Sequence, residues 1–421
     1  MMNWIFEILA FAACLLKAIP SALYLFVRET WGTKPAEPSA DESLGDAFDV
    51  VCVSHVEWNY VWQRNQHIMC RLARYGKVLY CFPVKQRAYR RHWLNVLRPA
   101  RRTPSGVWLW YPMVLPGSRV FGWIERFNAW FIAASLRELQ RRLGIRCPIL
   151  WYYFPDLVFL VGRLGERGLV YDIQDDYALF EWASPQTSER AKFLLERADQ
   201  VFTGTHALYE KNHASARRIR FVLNGVDFDM FHSVRAVPVP IPAKYEPVLS
   251  VISGPTMGYF GLIDERVNLA LIDELAHRRP EWHFLMVGPV VEGVKAEQRP
   301  NVHFTGQVPY SDLPALAQKF DVCLMPFVVN GLTRAINPTK TLEYFALERP
   351  VVSTPIPDLV RFYGDSIDFA QTPDEWEKEI HKALRPNPAR LAQARDLARA
   401  RSWDAVTDIF RQEIAAALRG E

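Results

Sequence analysis

The residues best placed by type and spacing to do chemistry lie in Asn337–Thr354, NPTKTLEYFALERPVVST. The segment reads as a turn, a helix, a second turn at Arg349-Pro350 and a buried strand. Pro338 can open the helix, and Asn337 or Thr339 can cap it. Free backbone N–H groups and the dipole at such an N-terminus favour phosphate. Lys340 puts a full positive charge in the first turn, the wrong sign for the dipole, and a bound anion would account for it. Glu343 follows three residues on, on the same face, where a carboxylate can accept two ribose hydroxyls. An ordinary surface helix with one Lys and one Glu fits the same letters.

Asp172, Asp175 and Asp176 follow a strand in YDIQDD. Acids this close repel unless they cap a helix or meet a ligand. Asp175 and Asp176 are the candidate catalytic pair, orienting or deprotonating an acceptor hydroxyl; helix capping is the alternative, and Asp172, nearest the strand, can be structural. Arg64 and His67, in WQRNQH, are candidate contacts for an acceptor phosphate or hydroxyl, with a structural role as the alternative. From Lys85 to Arg102 the chain reads KQRAYRRHWLNVLRPARR. Arg90, Arg91, Arg101 and Arg102, interleaved with aromatics such as Trp93, suit an anionic membrane surface or a lipid pyrophosphate. No recognition module argues for nucleic acid.

These residues need elements to hold them. Short apolar runs such as FDVVCVS, KVLYCF, PILWYY and LVYDI alternate with helical patterns at 66–75, 123–143, 157–164 and 188–198. Strands buried on both faces and joined by helices make a parallel sheet. A second series, from MGYFG through HFLMVG, VHFTG, DVCLMPF and PVVST, closes with helices over 374–384 and 389–418. Two such sheets face a cleft outside their strand ends. The division is 1–32, an apolar helix; 33–47, a polar linker; 48–232, the first α/β domain; 233–247, a proline-rich linker; 248–400, the second α/β domain; and 401–421, a C-terminal helix able to pack back on the first.

Composition sets outer limits. The 421 residues are 50% hydrophobic and 23% charged, enough for two globular domains, and the net charge of +4 makes no case for a nucleic-acid binder. Six cysteines show no C-x-x-C pair or zinc spacing, which implies a reducing compartment and no structural metal. Trp4–Val27 is mostly apolar but broken by Glu7, Lys17 and Pro20; a membrane span, an interfacial helix and a helix packed on protein all fit.

The donor-like segment resembles the signature of GT-B glycosyltransferases of the retaining family-4 type. The resemblance extends over most of the chain after residue 47: YVWQRNQHIMCRLARYGKVLYC, YDIQDDYALF, FVLNGVDFDMF and GYFGLIDERVNLALIDELA are similar to bacterial teichuronic-acid and exopolysaccharide transferases. It implies a GT-B fold of two Rossmann-like domains. It implies transfer of a sugar from a nucleotide diphosphate sugar to a lipid-linked saccharide, without metal or cofactor, at the cytoplasmic face of a bacterial inner membrane. Gly261, Arg266, Asn337, Thr339, Lys340 and Glu343 would bind the donor. Two departures stand out. Ala335 occupies the place of the family's first glutamate, and Gly261-Leu262 that of a Gly-Arg pair, so that Arg266 either supplies the missing charge or is a solvated helix-start residue. An epimerase of the same fold and a non-catalytic assembly subunit are the rival readings.

Overall fold

The computed structural model describes residues 47–82, 100–112, 122–177, 185–295, 299–331 and 333–420. Trp4–Val27, Arg90, Arg91, Trp93 and most of the linker at 33–47 therefore lie outside the described residues.

The first sheet contains β1 (Val50–Val53), β2 (Val78–Cys81), β3 (Arg101–Arg102), β4 (Trp108–Trp110), β5 (Ile149–Tyr152), β6 (Gly168–Ile173), β7 (Gln200–Thr203) and β8 (Ile219–Phe221). Their order is β3-β4-β2-β1-β5-β6-β7-β8, with every neighbouring pair parallel except β3 and β4. The central β1 is wholly buried, as its unbroken VVCV demands. Helices α1 (Arg64–Leu72), α2 (Gly122–Leu143), α3 (Pro185–Arg197) and α4 (His206–Asn212) supply the crossovers.

The second sheet holds β9 (Thr256–Phe260), β10 (His283–Val287), β11 (Val302–Phe304), β12 (Val322–Met325), β13 (Val351–Ser353) and β14 (Asp368–Phe369). Its order, β11-β10-β9-β12-β13-β14, is parallel throughout. With it go α5 (Phe228–Ala236), α6 (Leu269–Arg278), α7 (Leu313–Ala317), α8 (Lys340–Ala346), α9 (Pro357–Tyr363), α10 (Pro373–Ala383) and α11 (Pro388–Arg399). The last helix, α12 (Trp403–Arg419), leaves this domain: Trp403, Val406, Phe410 and Ile414 join the core of the first sheet beside Trp151 and Phe202.

The chain crosses between the domains at two adjacent segments. Val226 and Ser402 form a parallel bridge, with Val226 N–H donating to the Arg401 carbonyl at 3.0 Å and Trp403 N–H to the Val226 carbonyl at 3.2 Å. Gly225 lies so close that a Cβ there would sit 2.9 Å from the Trp403 nitrogen.

Several expectations need correction. The helix expected over 157–164 is a single 3-10 turn, Val158–Leu160. Helix α5 already packs in the second domain's core through Phe228, Phe231 and Val234, so the chain crosses between the domains at 224–227, before the expected linker at 233–247. The helix expected over 389–418 is two helices, because the chain makes its second crossing at 400–402 and Ser402 caps α12 by accepting from Ala405 N–H. The basic segment ends in a strand: Arg101 and Arg102 form β3 at the sheet edge. Among the described residues no helix is long and apolar enough to cross a membrane.

Arg64 and Asp172 are locked into the core. The guanidinium spans both carboxylate oxygens of Asp172 at 3.1 Å each and donates to the Val222 carbonyl at 2.6 Å. Both side chains are essentially inaccessible, at 2% and 0% exposure. Removing one partner of a buried pair strands a charge, at about 3–5 kcal/mol. Asp172→Ala should therefore lower the thermal unfolding midpoint sharply, and Arg64→Met combined with Asp172→Leu should recover part of the loss. A midpoint near wild type for Asp172→Ala by circular dichroism would show that the pair does not stabilise the core.

Candidate functional site

The strand ends of the two sheets open onto one cleft, lined from both domains by residues that include Tyr153, Gln174 and Asp175 on one side and Gly261, Arg266, Lys340 and Glu343 on the other. On the C-terminal side, β9 ends at Phe260 and β10 at Val287, each followed by a glycine with positive φ. A Cβ on Gly288 would fall 2.0 Å from the Gly261 carbonyl, and one on Gly261 would meet the Lys340 amine at 3.1 Å. The bare backbone here is what lets two strand ends and a cation share one corner.

Helix α8 brings Lys340 and Glu343 to that corner. Thr339 occupies its N-cap position without a side-chain cap hydrogen bond. The Lys340 ammonium lies 4.8 Å from the Tyr259 ring centre and 5.2 Å from that of Phe327. Burial, aided by the nearby Arg266, lowers its pKa to about 8. Glu343 is pushed up to about 7 by burial, against the pull of the Tyr310 hydroxyl and of Lys340. Tyr310 donates to Glu343 Oε1 at 2.9 Å. Arg266 grips Asp264, Nη2 to Oδ2 at 2.6 Å and Nε to Oδ1 at 3.1 Å. Burial would weaken its charge, but Asp264 and then Asp175, reaching from the first domain, more than offset this.

The anticipated donor residues thus share one wall, and Arg266 is not a solvated surface charge. Asn337 plays a different part: its amide donates to Asp358 at 3.3 Å and its carbonyl accepts from Asn224 at 2.8 Å, which ties the domains together. Ala335 sits in a 3-10 turn, Thr333–Ala335, and is not among the cleft-lining residues.

The acceptor-side expectations divide. Asp175 lines the cleft, and burial raises its pKa, with Arg266 opposing. Asp176 does not line it; its carboxylate pairs with Lys211 at 2.5 Å, so the two acids do not act as a pair. Arg64 borders the cleft as expected, but its guanidinium is bound to Asp172 and to the Val222 carbonyl, so the structure gives it a core-bracing part. His67 is also corrected: it is 2% exposed, stacked on Trp403 at 4.6 Å and edge-on to Trp62 at 5.2 Å, with Nδ1 3.4 Å from Asp227. Among the described residues no group of three or more His, Cys, Asp or Glu side chains gathers as a metal site would require. Sequence reasoning passed over Asp264, Tyr310 and Trp62. Asp264 was detectable two residues before Arg266, whereas Tyr310 and Trp62 meet only through tertiary folding.

Comparison with known proteins bears on the family and the fold. Residues 255–385 match the family model described as "Glycosyl transferases group 1". Over 305 residues, 64% of this chain and 71% of the relative, the sequence is 26% identical to the putative teichuronic acid biosynthesis glycosyltransferase TuaH of Bacillus subtilis strain 168. The fold is similar to that of Anabaena Alr3699/HepE in complex with UDP-glucose, with a TM-score of 0.64 at 13% identity over 89% of this chain and 100% of that one. It is also similar to an Escherichia coli structure described as trehalose-6-phosphate bound with UDP-2-fluoro glucose, with a TM-score of 0.62 at 13% identity over 87% and 99% of the two chains. With its two largely parallel sheets facing a cleft, the chain has a GT-B-like fold, and its second sheet lies within the residues that match the group 1 family model.

Proposed function

We propose that this protein transfers a sugar from a nucleotide diphosphate sugar to a lipid-linked saccharide during cell-surface polysaccharide synthesis, at the cytoplasmic face of a bacterial membrane. The observation that carries this reading is the convergence of Gly261, Lys340 and Glu343 on one cleft wall, opposite Asp175. Lys340, with Arg266 beside it, neutralises the departing diphosphate, and the dry wall strengthens that attraction. Glu343 accepts the ribose hydroxyls. The acceptor hydroxyl oxygen bonds to the anomeric carbon as the bond from that carbon to the diphosphate oxygen breaks, and the hydroxyl proton passes to Asp175, which burial makes a better proton acceptor than an exposed aspartate. Retention of anomeric configuration requires the hydroxyl to approach the face from which the diphosphate departs, and charge neutralisation by Lys340 and Arg266 lets the diphosphate leave without metal. Similarity to a teichuronic acid transferase supports the polysaccharide context.

The first test is transfer itself. Radiolabel from a nucleotide sugar should move into membrane lipid extract, whereas label kept on nucleotide in a changed sugar would point to epimerisation. Lys340→Ala and Glu343→Ala should each lower kcat/KM about 10- to 150-fold, matching the roughly 1.5–3 kcal/mol of a charge-assisted hydrogen bond. Near wild-type activity in both variants would remove α8 from the donor site.

Donor binding should have a bell-shaped pH dependence. Ribose needs Glu343 ionised, so affinity rises as pH climbs through about 7. The diphosphate needs Lys340 protonated, so affinity falls as pH passes about 8. Calorimetric titration with UDP and GDP from pH 5.5 to 9.5 should show both limbs for the nucleotide that binds. Glu343→Gln should abolish the acid limb, and Lys340→Ala the alkaline one. A flat profile for the wild type would contradict the assignment.

Attachment to the bilayer is assigned to Trp4–Val27 together with the basic residues of 85–102. A polybasic patch contributes about 1 kcal/mol per residue at an anionic surface and weakens with salt. Deleting residues 1–32 should weaken vesicle co-sedimentation but leave salt-sensitive binding to anionic vesicles. Changing Arg90, Arg91, Arg101 and Arg102 to Ser in that form should remove the remainder. A truncated protein that ignores anionic vesicles at low salt would eliminate the second anchor.

A further inference from the structure

Tyr310 stands where the two domains and the donor wall meet. It follows β11 in the second domain and is half-buried. Its hydroxyl donates to Glu343 Oε1 at 2.9 Å. Its ring lies parallel to Trp62 of the first domain, with centroids 5.6 Å apart and planes 10° from each other. His67 meets the same ring edge-on at 5.0 Å, and Phe231 supports it at 5.8 Å. A few residues away, Gln307 donates to the Asn59 and Tyr60 carbonyls at 3.3 and 2.9 Å, so the loops at 57–63 and 305–310 are joined by polar and aromatic contacts.

A carboxylate has about four acceptor positions on two oxygens. The phenol occupies one of those on Oε1 and fixes the orientation in which the remaining positions, both of those on Oε2 among them, meet the ribose. We propose that Tyr310 is the positioning residue that aims Glu343 at the nucleotide ribose, and that its stack on Trp62 carries donor occupancy into the acceptor-side loop 57–63. The inference rests on the assignment of Glu343 to the ribose. Its physical basis is a bond with two consequences. The phenol fixes the carboxylate's rotamer, and by stabilising the ionised form it counteracts the burial that raises Glu343. Any shift of Glu343 on taking up ribose moves a ring packed face to face against the other domain. Tryptophan and tyrosine rings stacked in this way resist independent movement, because their contact contributes about 0.5–1.5 kcal/mol beyond burial.

The test uses the full chain with UDP and GDP, each beside its 2′,3′-dideoxy counterpart, titrated from pH 6 to 9. In the wild type the ribose form should bind at least several-fold more tightly than the dideoxy form. Glu343→Gln should erase that preference at every pH; if the preference persists in this variant, the ribose assignment itself is wrong. If Glu343→Gln erases it, Tyr310→Phe decides the inference. The Phe variant should lose most of the preference at pH 7 and show its acid limb displaced to higher pH, whereas a wild-type preference and an unmoved limb overturn the positioning role. Loss of the buried hydroxyl can also destabilise the chain, so a second readout uses the unmutated protein. With 5-fluorotryptophan incorporated, and the Trp62 resonance assigned through Trp62→Phe, that resonance should shift on saturation with the ribose nucleotide and not with the dideoxy one. An unmoved Trp62 resonance at saturation overturns the relay.

Discussion

The cleft exists because the chain crosses between its domains twice at one place. Segment 224–227 leaves the first domain beside segment 401–404, which returns to it, and the Val226–Ser402 bridge holds them together. Each residue of Asn224-Gly225-Val226-Asp227 has a separate duty. Asn224 reaches the Asn337 carbonyl, Gly225 makes room for Trp403, Val226 pairs with the returning strand, and Asp227 receives Arg71. Because α12 then buries Trp403 and Phe410 in the first domain's core, that domain is not complete without the second crossing. A change in the angle between the domains must be absorbed at this pair of segments, close to the floor of the cleft.

That arrangement explains why Arg64 and His67 look functional in sequence and are not exposed in the fold. Both are on the face of α1 that meets the crossing. Arg64 knits β6 to the segment before it, through Asp172 and Val222, while His67 is clasped between Trp403 and the Trp62–Tyr310 stack. Burial lowers the His67 pKa, with the neighbouring Asp227 opposing. A histidine and an arginine near a cleft can serve the joint rather than the ligand, and the difference lies in partners contributed by residues more than a hundred positions away.

The strands and most of the helices were legible because they depend on local patterning. Unbroken apolar runs such as VVCV and VCLM can only be strands of a two-faced buried sheet, and α2 follows its helical periodicity almost to the residue. What escaped was set by tertiary contact. The break at 400–402 is imposed by the crossing rather than by a helix-breaking residue, since Arg401-Ser402 carries no proline or glycine. At the site, Lys340 and Glu343 could be read from their spacing on one helix, whereas Asp175 and Asp176 could not be separated by sequence. They are adjacent, yet one lines the cleft and the other binds Lys211. The Tyr310 contact left no local trace because a tyrosine after a proline in a loop is commonplace.

The charges of the cleft wall form a system whose balance changes with occupancy. Arg266 is matched by Asp264, and Lys340 shares its surroundings with Glu343. The amine is held near the edge of deprotonation and the carboxyl near the edge of protonation, because burial penalises both charges and each only partly relieves the other. On the donor reading proposed above, a diphosphate set against Lys340 adds negative charge beside the buried amine and favours its ammonium form. A charged Lys340 in turn favours the ionised form of Glu343, the form suited to accept ribose hydroxyls, while the diphosphate's own charge opposes it. The burial that makes these two side chains costly is also what leaves their charge states responsive to an anion in the cleft.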